Sequence, residues 1–451
     1  MGNMMKTIKH IVVFATMASL LYTLPVLLTS QLSQPIFAAK AEQVKKKKNS
    51  RSVKVPAMRN RVYTQLARAQ SLADAGDKPA GFEVLKQVES RINQLNAYER
   101  AMLWNFYGFM YYGDDDITNA IASFEKVVAE DAIPDSLYNA TLYSLAQLAM
   151  QQQDYDKTLD FLTRWQTSIN KPLKPMQQVL FAQAHYQNKN YLKASDYVNL
   201  AVAQSEEAGE LPKENWLILQ RAAFYELKQP HKVTEVMEKL VRLYEKPQYW
   251  VQLAGMYGET EQEDKQLAVM ETAYQAGYLT KQSQLVGLAQ LYMFHDVPYK
   301  AAALLKTSMA SGSVVSNEKH LALTAQAYIA AKEEQKAIAP LKQATALAKH
   351  GKYDAMLAQT YLNMEQWQHA INFAGSALTK GQLDREGDMH LVDGMARFNL
   401  AQYDQAIVAF EQAKAFDGSE KMATQWTKYV LREKQHQLQL AMMLDSDSQG
   451  E

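Results

Sequence analysis

One short pattern, small or apolar residues spaced three, four and three apart, is spelled again and again between residues 117 and 413. In Tyr403, Ala406, Phe410 and Ala413 this spacing puts four side chains on one side of an α-helix, and the alanines let another helix come close. The same phase returns at Trp367, Ala370, Ala374, Ala377, at Glu334, Ala337, Leu341, Ala344 and at Pro298, Ala301, Leu305, Ser308. Further upstream it returns at Tyr191, Ala194, Val198, Ala201, at Tyr155, Thr158, Leu162, Trp165 and at Ile117, Ala120, Phe124, Val127. Between residues 194 and 301 the stripe degenerates, and Lys232 and Gln266 stand where Ala is expected. Successive alanine positions then lie 33 to 38 residues apart. A period of that size predicts a stack of helix pairs, each burying its apolar side only against its neighbours.

Each stripe has a first helix ahead of it. Twelve residues before the alanine position sits a small residue, often with Tyr three residues later: Gly108 and Tyr111, Ala254 and Tyr257, Ala289 and Tyr292, Ala325 and Tyr328, Ala358 and Tyr361. Breakers separate the units at Pro134, Pro172, Pro212, Pro247, Gly312, Gly351, Gly381 and Gly418. Trp104, Gly108, Tyr111, Ala120 and Phe124 stand at positions 4, 8, 11, 20 and 24 of a unit, and in this they resemble the tetratricopeptide (TPR) repeat. That resemblance implies an all-α, right-handed α-solenoid of about ten helix pairs. The first pair is expected around Arg61–Arg91, with Ala80 at its position 20. Residues 61–420 are assigned to the solenoid, and 421–451 to a last helix whose polar residues cap the stack, with a frayed "DSDSQGE" end. The register of residues 213–281 stays open.

The N-terminus is of another kind. Lys6 and Lys9 precede an apolar stretch from Ile11 to Leu28, and "PIFAAKAEQ" follows. This is the layout of a signal sequence over residues 1–41, with cleavage expected after Ala38, Ala39 or Ala41; an uncleaved anchor is the alternative. Absence of Cys excludes a lipid-modified N-terminal Cys and any disulfide, and the expected address is the periplasm. Residues 42–60 read as a basic disordered linker containing Lys45, Lys46, Lys47 and Lys48. Residues 1–61 hold eleven basic residues against Glu42, so overall neutrality hides a formal −10 on the rest. The four lysines are either a solvated spacer or a contact for an anionic surface. An acidic body argues against nucleic acid as a partner.

The sequence carries few marks of chemistry. Phosphate-loop, dinucleotide-fold, zinc-protease and serine-hydrolase motifs are absent, so neither an enzyme nor a cofactor is expected. His185 reads as a helix-packing residue and His350 as a helix C-terminal residue favoured by the dipole. Asp114-Asp115-Asp116 lacks the Gly and distal Glu of a calcium loop and reads as a turn, with Asp116 or a neighbour capping the next helix.

What remains is surface. In TPR proteins the first helices line the groove through positions 5, 9 and 12. Position 9 is Gln147, Gln183, Gln290, Gln326 and Gln359 in five repeats, and Phe109, Arg221, Gly255 and Met395 in four others. Position 12 is Tyr112, Met150, Tyr186, Phe224, Met293, Ile329, Leu362 and Phe398. A row of Gln amides, each both donor and acceptor, suits the backbone of an extended peptide whose side chains enter the apolar row. The alternative is that Gln is simply a good surface helix former and the apolar groups pack on the next repeat. The Lys and Asn pair that clamps a C-terminal carboxylate in TPR proteins is missing, since position 5 offers Asn105, Tyr143, Val179 and Leu217.

The block from Val55 to Tyr112, "VPAMRNRVYTQLARAQ…NFYGFMYY", with the following "AIASFEKVV", is similar to the TPR proteins encoded beside TonB, ExbB and ExbD in marine gammaproteobacteria. This implies a periplasmic accessory of TonB-dependent uptake of iron siderophores or haem, with TonB-system components as partners. Periodicity and charge point to neither iron nor TonB. A scaffold for envelope assembly or secretion machinery would carry the same repeats and the same leader.

Overall fold

The structure, a computed structural model, describes residues 54–448, with side chains to residue 442. The expected signal sequence, most of the basic linker with Lys45–Lys48, and residues 449–451 lie outside the described residues. Among the described residues there are twenty-one α-helices and no strand. The chain divides into a first unit ending at Glu245 and a second starting at Lys246.

In the first unit five helix pairs follow one another: α1 Asn60–Asp74 with α2 Lys78–Glu89, α3 Ala97–Gly113 with α4 Ile117–Val128, α5 Asp135–Gln151 with α6 Tyr155–Ile169, α7 Pro175–Gln187 with α8 Tyr191–Glu207, and α9 Glu214–Glu226 with α10 Pro230–Tyr244. The second unit repeats this five times: α11 Pro247–Glu259 with α12 Glu263–Gln275, α13 Gln282–Phe294 with α14 Pro298–Ala310, α15 Glu318–Ala330 with α16 Glu334–Leu347, α17 Lys352–Asn363 with α18 Trp367–Lys380, and α19 Glu386–Asn399 with α20 Tyr403–Ala413. Within each unit successive helices pack on one another, which is the nearest-neighbour stacking of an α-solenoid.

All ten pairs turn in the same way. Two residues after each first helix stands a residue with positive φ: Gly76, Asp115, Gln153, Lys189, Lys228, Glu261, Asp296, Lys332, Glu365 and Ala401. The next N–H then reaches back to the carbonyl at position 11, as in Asp116 N to Tyr111 O (2.9 Å) and Gln366 N to Tyr361 O (2.9 Å). This six-residue closure satisfies a carbonyl that the helix end leaves without an intrahelical partner. Only the first of the ten turns uses Gly for it.

Because the left-handed residue lies five positions before position 20, it fixes the register and corrects two expectations. In the α9–α10 pair Lys228 makes position 20 Val233, which is buried, whereas Lys232 is exposed. This pair carries no Ala at that position. In the α1–α2 pair Gly76 makes it Gly81, buried against Ala69, in place of Ala80. Gln266 keeps its place, five after Glu261.

In the two pairs with Gly at position 8, position 24 is Phe and the two residues face each other across the pair. Gly108 lies against Phe124, and a Cβ on it would come within 2.5 Å of the ring; Gly394 against Phe410 gives 2.6 Å. Where position 24 is Leu162, Leu305 or Leu341, position 8 is Ala146, Ala289 or Ala325, all six buried. Such matching keeps the interior at close-packed density.

The last helix, α21 Glu420–Ser448, runs four residues into the stretch expected to fray. Ala423, Trp426, Thr427 and Val430 keep the three-four spacing and pack on the last pair, with the Trp426 ring stacked on Phe410 at 5.6 Å. Lys434 and Gln435 break the stripe. From Leu431 to Met442 the side chains are exposed or half-buried, so only the first part of the helix covers the last pair.

Candidate functional site

Positions 9 and 12 lie one helical turn apart, so in each first helix they share a side. In the second unit Gln290 and Met293 on α13 are half-buried; on α15 Gln326 is exposed and Ile329 half-buried; on α17 Gln359 is exposed and Leu362 half-buried. Gln359 donates to Asn363 Oδ1 at 2.9 Å, one turn along its own helix, which aligns its amide. Met293, Ile329 and Leu362 rest partly against the core of this unit, leaving their remaining surface to solvent.

In the first unit Gln147 and Gln183 are half-buried, Met150 is buried in the core between α3 and α7, and Tyr112 and Tyr186 are half-buried. Phe109 meets Phe124 edge-on at 5.2 Å, the consequence of having Gly108 beside it. Tyr186 meets Tyr191 edge-on at 5.4 Å, and burial, aided by the nearby Glu226, pushes its phenol up to about 12. It is a neutral donor at any physiological pH.

Two expected site residues move with the register. Arg221 falls at position 8, directed to Met237 at position 24, with Nη1 3.7 Å from Sδ. Phe224 falls at position 11, buried, with Lys232 Nζ 5.1 Å from its ring centroid. Their places at positions 9 and 12 belong to Ala222 and to Tyr225, which is 41% exposed. Position 5 of the same pair becomes Ile218 in place of Leu217. The corrected first pair also puts Gln70 at position 9, where it donates to Asp74 Oδ1 at 2.7 Å. Only the left-handed turn residue, which no Gly marks beyond Gly76, would have revealed these places from sequence.

The other singled-out residues are structural. Asp116 accepts from Asn119 N at 3.1 Å and caps α4, as expected. His185 is buried, its ring stacked 5.6 Å from Tyr197, and burial holds it below the usual imidazole range. His350 departs from expectation: α16 already ends at Leu347, and the ring lies 4.9 Å from Tyr353 just before α17. In the short link that follows, Gly351 N–H donates to Gly381 O at 2.9 Å and a Cβ there would strike Ala377 O at 2.2 Å, so only Gly fits.

No protein-family model and no curated protein matches the sequence. Solved structures similar to the chain include a tetratricopeptide repeat protein from Parabacteroides merdae, at 14% identity and TM-score 0.33, covering 55% of this chain and 94% of that one. Others are the APC/C Cut9–Hcn1 hetero-tetramer (13%, 0.30, 82% and 84%) and the TPR2AB domain of yeast Sti1 with an Hsp90 peptide (14%, 0.32, 58% and 98%). The ten stacked helix pairs make the chain an α-solenoid.

Proposed function

We propose that this protein is a binding scaffold, not an enzyme, whose first helices hold an extended segment of a protein partner. The observation that carries the proposal is the row of position-9 amides beside apolar position-12 side chains, two of the amides, Gln326 and Gln359, being open to solvent. Such a row meets backbone N–H and C=O groups without requiring a particular sequence. Replacing Gln290 and Gln326 by Ala should leave helicity intact, since Ala is the stronger helix former. It should weaken the partner's binding by about 1–3 kcal/mol, the worth of two net hydrogen bonds. Met293→Asp with Ile329→Asp should weaken it more, by placing charge where an apolar group docks. Titration of a purified partner checks both, and equal affinity for all three proteins rejects the face.

As to the partner, the resemblance of residues 55–128 supports a periplasmic accessory of TonB-dependent uptake of iron siderophores or haem. Deletion should then impair growth on a TonB-dependent iron source and spare iron-replete growth. Unchanged uptake of every such ligand rejects the transport role and leaves an envelope-assembly or secretion scaffold. Sequencing the mature N-terminus tests the address: a start between Ala39 and Glu42 supports release into the periplasm, and intact Met1 in the membrane fraction means an anchor.

A further inference from the structure

With the register corrected, positions 5, 6, 9 and 12 of all ten first helices carry no Asp, Glu, Lys, Arg or His, in a chain of which 21% of residues are charged. Charge resumes immediately outside: Lys319 and Lys352 stand at position 2, and Asp74, Glu226 and Glu259 at position 13. Burial accounts for part of the pattern, since Leu66 and Leu391 belong to the cores. It does not account for Tyr225, Gln326 and Gln359, which are exposed at helix sites where Lys or Glu would be equally good helix formers.

We infer that this face selects extended peptide segments that are themselves uncharged, rich in amide and hydroxyl side chains with large apolar groups between them, over acidic or basic segments. The inference rests on the first-helix face being the binding surface proposed above. A charged peptide side chain laid against amides and half-buried apolar groups loses hydration and finds no counter-charge, so it is rejected. A neutral segment loses only backbone hydration, which the Gln amides replace. Selection here works by exclusion, and no carboxylate clamp is needed. Binding that does not use ion pairs is also nearly indifferent to salt.

Selection of a phage-displayed random twelve-residue peptide library on the full chain tests this. Enriched peptides are expected to be depleted in Asp, Glu, Lys and Arg. In titrations of one such synthetic peptide, a central Glu or Lys should weaken binding by roughly tenfold or more. Salt should change the affinity by less than about twofold. Charged residues at or above their frequency in the starting library overturn the inference. The pair Gln326→Lys and Gln359→Lys, both at exposed helix sites, separates the two layers. If the face binds, this variant should select acidic peptides. If it still binds the neutral peptides as wild type does, the face itself is rejected. Failure of wild type to enrich any peptide rejects both.

Discussion

In the first unit four of the five second helices begin under a side-chain cap. Asp77, Asp116, Asp154 and Asn190 each accept an N–H three residues on, at 3.1 to 3.3 Å. In the second unit the same place is held by Gln262, Val297, Glu333, Gln366 and Gln402, and none makes such a bond. Yet the left-handed residue and the six-residue closure are the same in both. The two units thus separate geometry from stability: backbone bonds shape the turn, and the cap adds free energy to a turn already formed. Their cores differ too, since α18 packs through Ala370, Ala374 and Ala377 where α4 uses Ala120, Phe124 and Val127.

Among the described residues each unit keeps one fully buried carboxylate, at the third residue of a first helix, and removing it should be the largest effect. Glu99 receives Arg59 Nη2 at 2.6 Å and Arg59 Nε at 2.9 Å, and also closes a capping box with Asn96. Asp354 receives Lys380 Nζ at 2.8 Å and Ser376 Oγ at 2.7 Å. Glu99→Ala and Asp354→Ala should each cost about 2–3 kcal/mol, the range for charge-assisted bonds, read by denaturant titration. A loss confined to one unit would show that the two carboxylates do different things. The Arg59 guanidinium holds the Glu99 carboxyl at about 2, well below the usual carboxylate range. Its contribution is therefore complete above the unfolded value near 4.3 and lost as pH falls through about 2, a decline that Glu99→Ala should flatten.

Next comes the matching of positions 8 and 24. Gly108→Ala should cost about 1–3 kcal/mol by overpacking against Phe124. Adding Phe124→Leu should recover most of it, because Ala opposite Leu is what Ala325 and Leu341 already use in the second unit. An additive double variant would mean that size matching is not what links the two positions.

The smallest effect tests the caps directly. Asp116→Ala should lower stability by about 1 kcal/mol, and Gln366→Asp, which gives a second-unit turn the first unit's cap, should raise it by about 0.5–1 kcal/mol. Thermal melts of both suffice. No gain from Gln366→Asp would show that the uncapped turns lack room for the bond.

The fold was legible because a three-four stripe survives even where single residues drift, and the Asp116 cap because short acidic side chains before a helix have one common use. The register of the α9–α10 pair was not legible, since Lys232 and Val233 stand side by side and only the turn distinguishes them. That turn is hidden for a physical reason: its bonds are made by the backbone, so Lys, Glu, Gln, Asp or Ala can occupy the left-handed site at a modest cost of about 1–2 kcal/mol. The candidate face was half legible. Gln at position 9 could be read from spacing, but the burial of Met150 depends on the neighbouring pairs, and the absence of charge depends on the left-handed Lys228, which places Arg221 at position 8.

The turn inside every pair is three residues long, whereas the links between pairs within a unit run from four to seven. A residue added inside a pair would rotate the second helix's buried stripe by about 100° away from its partner. One added between pairs would lengthen a loop and leave both stripes in place. The lineage of such a chain can therefore record its insertions and deletions only in the links, so that helix pairs are inherited as indivisible units while the spacing between them drifts.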